Sequence, residues 1–334
     1  MSKRIAINGF GRIGRLAFRN LLQNENLEVV AINDLTNPNI LAHLLKYDSA
    51  QGAFDGTVEV NDKGFLINGK QINVSSIRNP EELPWKELGV DIVLECTGIF
   101  RTNEAASKHI TAGAQKVIIS APAKGDDVQT IVLGINDDTL DLSNNVFSNA
   151  SCTTNCFSPL AKIVDDNWGI VTGSMTTIHS YTSDQNIQDA PHSDLRRARA
   201  AAENIIPTST GAAEATSKVV PSVDGKISAI AFRVPVVTGS IVEFNCLVEK
   251  ETTEEAVNEV FKNKAEGPLK NILQYQTDPI VSSDIIGNPH SSIFDSLMTS
   301  VNGKMIKVVS WYDNEAGYSA RIADLTGIIA SKLA

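Results

Sequence analysis

The amino-acid sequence predicts an α/β protein in two parts. A doubly wound parallel sheet comes first, and an α+β domain built on a mainly antiparallel sheet follows. Three observations carry this prediction. Short β-branched runs, apolar on both faces, alternate with helical patterns through the first half. A glycine-rich turn, Gly9-Phe10-Gly11-Arg12-Ile13-Gly14, joins the first strand-like run to the first helical one. Beyond about Ser148 the strand candidates lengthen and alternate apolar with polar residues. At 334 residues the chain is long for one core, so two domains are expected. Their bounds read as 1–150 and 151–315, with a terminal helix over 316–334 packing back on the first.

Taken in order, Arg4–Asn8, Leu27–Asn33, Val90–Cys96, Lys116–Ser120 and Thr130–Gly134 suit buried parallel strands. Arg12–Asn24 and Thr102–Ala112 read as helices between them. Val58–Val74 interrupts the alternation, and its Asn68-Gly69 pair predicts a tight hairpin. Val146–Ser148 closes the first half as a short strand. In the second half Val242, Phe244, Cys246 and Val248 form the apolar side of a half-buried antiparallel strand. Ile227–Val234 and Met305–Trp311 read alike. Thr252-x-x-Glu255 is a capping-box pattern ahead of Ala256, Val257, Val260 and Phe261, and Gly267-Pro268 stops that helix. Ile322, Leu325, Ile328 and Ile329 mark the final helix.

Composition narrows the function. With 29 basic and 39 acidic residues, the net charge of −10 disfavours nucleic acid and anionic membranes as partners. No apolar run approaches the ~20 residues that span a bilayer, and the start of the chain lacks a signal-peptide pattern. Four cysteines in a chain of this length are no disulfide framework. A cytoplasmic protein with free thiols is expected.

The glycine turn is a G-x-G-x-x-G pattern directly after a strand and opening a helix. Gly9, Gly11 and Gly14 suit a tight turn, close backbone approach to a pyrophosphate, and close helix–strand packing. Asp34 follows Gly14 by 20 residues at the end of the second strand, where it can accept hydrogen bonds from a ribose diol. A carboxylate there repels a 2′-phosphate, which favours NAD over NADP. A Rossmann-type dinucleotide site follows from strand, turn, helix and acid together; a turn that merely happens to be glycine-rich is the alternative.

Asn149-Ala150-Ser151-Cys152-Thr153-Thr154-Asn155-Cys156 is small and polar and lies between a strand and a helical pattern. A cysteine at a helix N-terminus has its thiolate stabilised by free amides and the helix dipole. The hydroxyls of Ser151 and Thr153 flank it. Cys152 and Cys156 are a poor zinc pair without further ligands nearby, and no metal is expected. Cys156 can simply pack, and Pro159 either starts or kinks the helix. Of the five histidines, His179 ends an apolar strand-like run after the cysteine segment and suits a Cys/His pair. His43, His109, His192 and His290 lie in helical or loop contexts without such a setting.

Several segments together resemble phosphorylating glyceraldehyde-3-phosphate dehydrogenases across essentially the whole chain. They are Ile7–Arg15 (INGFGRIGR), Ser148–Cys156 (SNASCTTNC), His179–Thr182 (HSYT), Pro207–Ala213 (PTSTGAA), Phe232–Pro235 (FRVP) and Ser310–Tyr318 (SWYDNEAGY). Asp194–Ala202 is similar to the bacterial and plastid versions. The resemblance implies that Cys152 attacks the aldehyde, His179 acts as base, and inorganic phosphate cleaves the resulting thioester. It assigns the phosphate of glyceraldehyde 3-phosphate to Thr182 and Arg233 with Arg197, and the attacking phosphate to Ser151, Thr153, Thr210 and Gly211. Arg12, Ile13, Asp34, Arg78, Ser120 and Asn314 match NAD contacts, Asn314 at the nicotinamide carboxamide and Tyr318 beside that ring. It also implies a homotetramer in central carbon metabolism.

Guanidinium groups suit a doubly charged phosphate, although Arg196, Arg197 and Arg199 also read as a solvated or subunit-facing group, and Thr210-Gly211 as a helix cap. The chain departs from the family pattern at Val236–Ser240, after the arginine motif, and at Ala190, where NAD-specific relatives commonly carry leucine. Two further readings share the fold: an erythrose-4-phosphate dehydrogenase-like enzyme that releases a free acid, and a redox-sensing or binding protein.

Overall fold

A computed structural model describes residues 2–333, and the chain divides into two compact units. The N-terminal unit runs through Ile131 and takes in Asp138–Ala150 and the residues from Ser319 onward. The C-terminal unit comprises Val132–Asp137 and Ser151–Tyr318.

The N-terminal unit is a twisted sheet with strands β1 (Lys3–Asn8), β2 (Leu27–Asn33), β3 (Val58–Asn61), β4 (Gly64–Ile67), β5 (Lys70–Ser75), β6 (Ile92–Glu95), β7 (Lys116–Ile119), β8 (Gln129–Thr130) and β9 (Val146–Ser148). Their order is β3-β4-β5-β2-β1-β6-β7-β9-β8. From β5 through β8 all pairings are parallel, which places the C-terminal strand ends along one edge. The expected antiparallel excursion is β3-β4-β5, whose last turn has Asn68 and Gly69 both at positive φ (49° and 79°). Helices α1 (Arg12–Leu21), α2 (Pro38–Lys46), α3 (Asn103–Ala106) and α4 (Lys108–Thr111) connect the strands. The helix expected over Thr102–Ala112 is thus two short turns that meet at Ser107. The apolar run Thr130–Gly134 is not a strand beyond Thr130: Val132 donates its amide to Asn136 and the chain turns away. Ile131–Leu133 are nonetheless buried, so the run signalled burial rather than a ladder.

In the C-terminal unit α5 (Cys152–Trp168) leads into β10 (Ile170–Ser180), followed by β11 (Ile206–Thr208), α6 (Ala212–Val219), β12 (Ile227–Val234), β13 (Ser240–Val248) and α7 (Glu254–Glu266). β14 (Leu273–Gln276), β15 (Ser292–Asp295), β16 (Ser300–Asn302) and β17 (Met305–Tyr312) follow; α8 (Ala316–Lys332) starts in this unit and from Ser319 belongs to the N-terminal one. The sheet order is β11-β12-β10-β13-β17-β15-β14, mostly antiparallel, with parallel pairs at β10–β12 and β14–β15. Phe157 of α5 meets Phe244 of β13 edge-on at 5.0 Å, and Phe261 of α7 stacks on Phe294 of β15 at 4.0 Å. Such pairs add about 0.5–1.5 kcal/mol each beyond the area they bury. Pro159 sits inside α5 and is buried, so the helix runs through it rather than starting there. The α7 cap is Thr253, one residue later than expected; its Oγ accepts the Ala256 amide.

The glycine turn carries the tightest local geometry. Gly9 has φ +91°, and a Cβ there would lie 2.7 Å from the Thr97 nitrogen. A Cβ on Gly14 would drive into the Gly9 carbonyl oxygen, whereas one on Gly11 meets nothing within 4 Å. Gly14→Ala is therefore expected to cost about 1–3 kcal/mol as overpacking, and Gly11→Ala about 0.5 kcal/mol or less. Thermal midpoints of the two variants, measured without cofactor, check this: equal midpoints would mean that the turn relaxes freely.

Candidate active site

The N-terminal unit holds a cavity of about 490 Å³ at the C-terminal strand edge, lined by Gly9, Gly11, Asp34, Ile77, Arg78, Cys96, Thr97 and Phe100 among others. This is where an open parallel sheet binds ligands. Helix α1 begins at its rim with Gly11 as an N-cap that offers no side chain, and no acidic residue stands in its first turn. Its first amides are therefore not satisfied by a side-chain cap and are suited to a pyrophosphate. Asp34 is held in place by its neighbours: Oδ2 accepts the Phe10 amide at 2.7 Å and Oδ1 the Thr36 amide at 2.9 Å. The same carboxylate that faces the cavity thus pins the glycine turn. Arg12 is held by Asp48 at 2.7 Å, and the Asp48 side chain is 3% exposed. Burial works against that carboxylate, but the amides of Gln51 and Ala50 and the Arg12 guanidinium outweigh it and keep its pKa below the ordinary range. Ser120 bonds to Cys96, whose thiol burial pushes up to about 12. These features fit a dinucleotide. Arg12, Ile13, Gly14 and Ser120 are not part of the cavity wall itself.

The C-terminal unit brings the predicted chemistry together. Ser151 is the N-cap of α5, its Oγ accepting the Thr154 amide, so Cys152 is the first helical residue. The Cys152 Sγ lies 3.4 Å from His179 Nε2 at the end of β10. His179 Nδ1 stands 2.7 Å from the Ser180 carbonyl oxygen, which only accepts. That assigns the proton to Nδ1 and leaves the Nε2 lone pair facing the thiol. Parallel register between β10 and β12 sets Arg233 directly beside His179. Its Nη1 donates to the same Ser180 carbonyl at 3.0 Å and approaches Nδ1 at 3.0 Å.

The electrostatics follow from that crowding. Burial raises the Cys152 pKa above the ordinary thiol value, while Arg233, the Thr153 hydroxyl and the first-turn amides of α5 pull the other way. Burial, then Arg233, push His179 down to about 3. The resting arrangement is a thiol beside a neutral imidazole, poised to pass one proton. Arg233 itself is destabilised by burial and by Arg197, so two guanidiniums share a space without a carboxylate of its own on Arg233. Arg197 is held by Asp184 at 2.6 Å and by the Thr208 hydroxyl at 2.9 Å. Thr182 joins this group, its Oγ 3.4 Å from Arg233 Nη1. Cations crowded this way are suited to an anion.

Not every expected residue joins the cluster through its own bonds. Thr210 accepts the Ala212 amide and Gly211 is the N-cap of α6, so the capping reading describes the bonds they make. Arg196 makes only a local turn and Arg199 pairs with Asp189 on the exposed surface. Asn314 is tied to the strand end that carries the base: its Oδ1 accepts from Ser180 Oγ, Ser240 Oγ and the Gly239 amide, which leaves its NH2 as the donor. Tyr318 is buried. Sequence reasoning missed Tyr312, although the Ser310–Tyr318 motif contains it. Its buried hydroxyl bridges Thr153 and Thr177 at 2.9 and 2.8 Å, and its ring meets His179 edge-on at 5.9 Å.

Known proteins resemble this chain over both halves. Residues 3–103 match the glyceraldehyde 3-phosphate dehydrogenase NAD binding domain, and residues 151–314 match the C-terminal domain of the same family. The chain is 57% identical to a glyceraldehyde-3-phosphate dehydrogenase of Geobacillus stearothermophilus, with 99% of each chain covered. It is 58% identical to one from Thermotoga maritima, covering 96% of this chain and 97% of that one, and 54% identical to glyceraldehyde-3-phosphate dehydrogenase 1 of Bacillus subtilis over 99% of each.

The four thiols are expected to react unequally. Burial holds Cys96, Cys156 and Cys246 at about 12, so their thiolates are absent below pH 9. Only Cys152 has a base at hand. At pH 8 iodoacetamide should label Cys152 alone, and His179→Asn should slow that labelling by about tenfold or more. Peptide mapping by mass spectrometry decides it; comparable labelling of Cys156 would contradict the site described.

Proposed function

The chain belongs to the glyceraldehyde-3-phosphate dehydrogenase family, and from that premise we propose that it oxidises glyceraldehyde 3-phosphate with NAD, through a thioester on Cys152 that inorganic phosphate converts to 1,3-bisphosphoglycerate. The observation that carries the proposal is the thiol 3.4 Å from an imidazole lone pair at the start of a helix. The reaction belongs to glycolysis and its reversal.

In this mechanism the Cys152 sulfur adds to the aldehyde carbon, and His179 Nε2 takes the thiol proton and returns it to the new alkoxide. The carbon then carries sulfur, hydroxyl and hydrogen. Bound NAD supplies the acceptor for the hydride that leaves this carbon. His179 removes the hydroxyl proton as the carbonyl forms, leaving an acyl group on sulfur. Phosphate attacks that carbonyl, the carbon–sulfur bond breaks, and the thiolate leaves. Free amides at the start of α5, with the Thr153 hydroxyl fixed by Tyr312, are suited to the oxyanion formed at each addition. Thr182, Arg197 and Arg233 hold the phosphate of the substrate; Ser151, Thr153, Thr210 and Gly211 receive the attacking one. The stretch 1–150 would hold NAD through the glycine turn, Asp34, Arg78 and the α1 amides, with the helix over 316–334 returning to it. The stretch 151–315 would carry the chemistry and contribute Asn314, whose oriented NH2 suits the carboxamide oxygen.

A homotetramer in the cytoplasm completes the proposal. No helix among the described residues is long and apolar enough to cross a membrane. The loop after β10 exposes Ile187 at 82% and Leu195 at 81%, with Ile205 at 69% just beyond. Both polar atoms of the buried Gln185 side chain lack a partner within the chain. Apolar exposure on that scale suits contact with another copy.

The test is NADH absorbance on adding glyceraldehyde 3-phosphate and NAD, with and without inorganic phosphate. Turnover should need phosphate and vanish in Cys152→Ala. Phosphate-independent turnover would mean hydrolysis to the free acid and would remove the role given to Thr210 and Gly211. With Asp34 facing the ribose, kcat/KM should be higher for NAD than for NADP; equal values would sink the preference.

A further inference from the structure

The mechanism leaves one buried ionisable cluster unused. Glu95, His109, Asn8 and Asn33 are each at least 96% buried in the N-terminal unit; Asn8 and Asn33 stand in the wall of the dinucleotide cavity, and Glu95 and His109 lie outside that wall, bonded to Asn8. Their hydrogen bonds run in one direction. The Ile77 amide donates to Asn33 Oδ1 at 2.9 Å, as does the Ser75 hydroxyl. That acceptance orients the Asn33 amide, whose Nδ2 donates to Asn8 Oδ1 at 2.8 Å. Asn8 Nδ2 in turn donates to Glu95 Oε2 at 2.6 Å. From the other side the Trp85 indole N–H, which only donates, reaches His109 Nδ1 at 3.0 Å. This assigns the His109 proton to Nε2, 3.0 Å from Glu95 Oε2. The Thr97 amide and hydroxyl both donate to Glu95 Oε1.

Every donor series therefore ends on one carboxylate. Both series start from a group that cannot accept, the Ile77 amide and the Trp85 indole, so no member can reverse without leaving a donor facing a donor. The positions are as telling as the bonds. Asn8, Asn33, Ser75 and Glu95 are the last residues of β1, β2, β5 and β6. Each is followed within three residues by a residue of the cavity wall: Gly9, Asp34, Arg78 and Thr97. The backbone of Thr97 also lies where a Gly9 Cβ would be.

We propose that Glu95, oriented by His109 and Trp85, is a positioning residue for the dinucleotide, a buried acceptor that sets four strand ends in register so that Gly9, Asp34, Arg78 and Thr97 are presented together. The inference rests on the NAD reading of this cavity and adds a determinant that does not touch the cofactor. A carboxylate is required because an amide of the same shape accepts at only one of its two ends. Whichever way its amide turns, Glu95→Gln sets an NH2 against a donor, either Asn8 Nδ2 and His109 Nε2–H or the Thr97 amide. Asn8→Asp supplies an acceptor at the adjoining position, within 3.5 Å of His109 Nε2 and in reach of Asn33 Nδ2.

The experiment measures NAD binding by titration calorimetry, with steady-state kinetics alongside, on the full-length protein. Wild type is compared with Glu95→Gln, His109→Leu, Trp85→Phe and the double variant Glu95→Gln/Asn8→Asp. NAD binding should weaken by about tenfold in Glu95→Gln, where donors face a donor, and in His109→Leu, which leaves the Trp85 N–H unpaired and takes one donor from Glu95. In both, kcat at saturating NAD should stay within about twofold of wild type, and KM for the aldehyde should be unchanged. Trp85→Phe keeps an aromatic ring but loses the indole N–H together with part of the buried bicycle, and it leaves the His109–Glu95 bond in place, so it gives a second, independent loss of NAD affinity should another variant fail to fold. The double variant should bind NAD more tightly than Glu95→Gln, which a loss of general stability would not produce. Unchanged NAD affinity across the single variants, or no recovery in the double variant, overturns the proposal. Failure of wild type to bind NAD overturns the cofactor reading instead.

Discussion

Moving one proton between a half-buried thiol and a buried imidazole is the constraint that organises the C-terminal unit. The thiol of Cys152 and the imidazole of His179 are each pushed by burial toward their neutral forms. Neither charge is affordable alone, yet the two appear together when Sγ gives its proton to Nε2 across 3.4 Å. The pair then titrates as a unit, and the attraction between the new charges offsets part of both desolvation costs. Arg233 biases this balance in two directions, since it favours the thiolate and opposes the imidazolium. The Ser180 carbonyl, accepting from Nδ1, is the counterweight that favours the charged ring.

Holding that distance takes most of the sheet. His179 and Arg233 are neighbours because β10 and β12 pair in parallel, the less common arrangement in this sheet. Tyr312 reaches both Thr153 and Thr177 from β17, linking the first turn of α5 to the strand that carries His179. Ser180 and Ser240 lie on β10 and β13 and both bond to Asn314, so the strand end that positions the base also positions the amide. A thiol on a loop would have required a less exact scaffold; one at a helix start needs the helix, the strand and the tyrosine to agree to within fractions of an ångström.

Much of this was legible because its signals are local. The glycine turn, the Asn68-Gly69 hairpin and the helix after Ser151 each occupy a few consecutive residues, and their chemistry is set by backbone conformation. What escaped depends on distance in sequence. Asn8, Asn33, Glu95 and His109 share no spacing, and His109 in particular reads as an ordinary helical histidine. Tyr312 lay within a quoted motif, but nothing in its neighbours announces that its hydroxyl reaches Thr153, 159 residues away. The α7 cap was misplaced by one residue because Thr252 and Thr253 are chemically alike, and only the backbone decides which hydroxyl meets an amide. The Ile131–Leu133 run reads as a strand because apolar residues report burial, and burial does not require a ladder.

The two units manage charge in opposite ways, and the difference follows from what each has to hold. In the N-terminal unit a buried carboxylate gathers donors next to the cavity, while the groups that line the cavity and would meet a dinucleotide are the glycine-turn backbone, Asp34 and Arg78. Fixed dipoles suit a pyrophosphate that must arrive and leave, because they bind it without the strength of a fully buried ion pair. In the C-terminal unit Arg233 is left beside Arg197 with no carboxylate of its own, so the site stores repulsion that an anion relieves. A net charge of −10 says nothing of either device, since it is summed over surfaces that neither ligand touches. Under the proposed function a phosphorylated substrate would be drawn to the place where Arg233 stands beside Arg197 without a carboxylate of its own, and Arg233 also favours the Cys152 thiolate that would react with it.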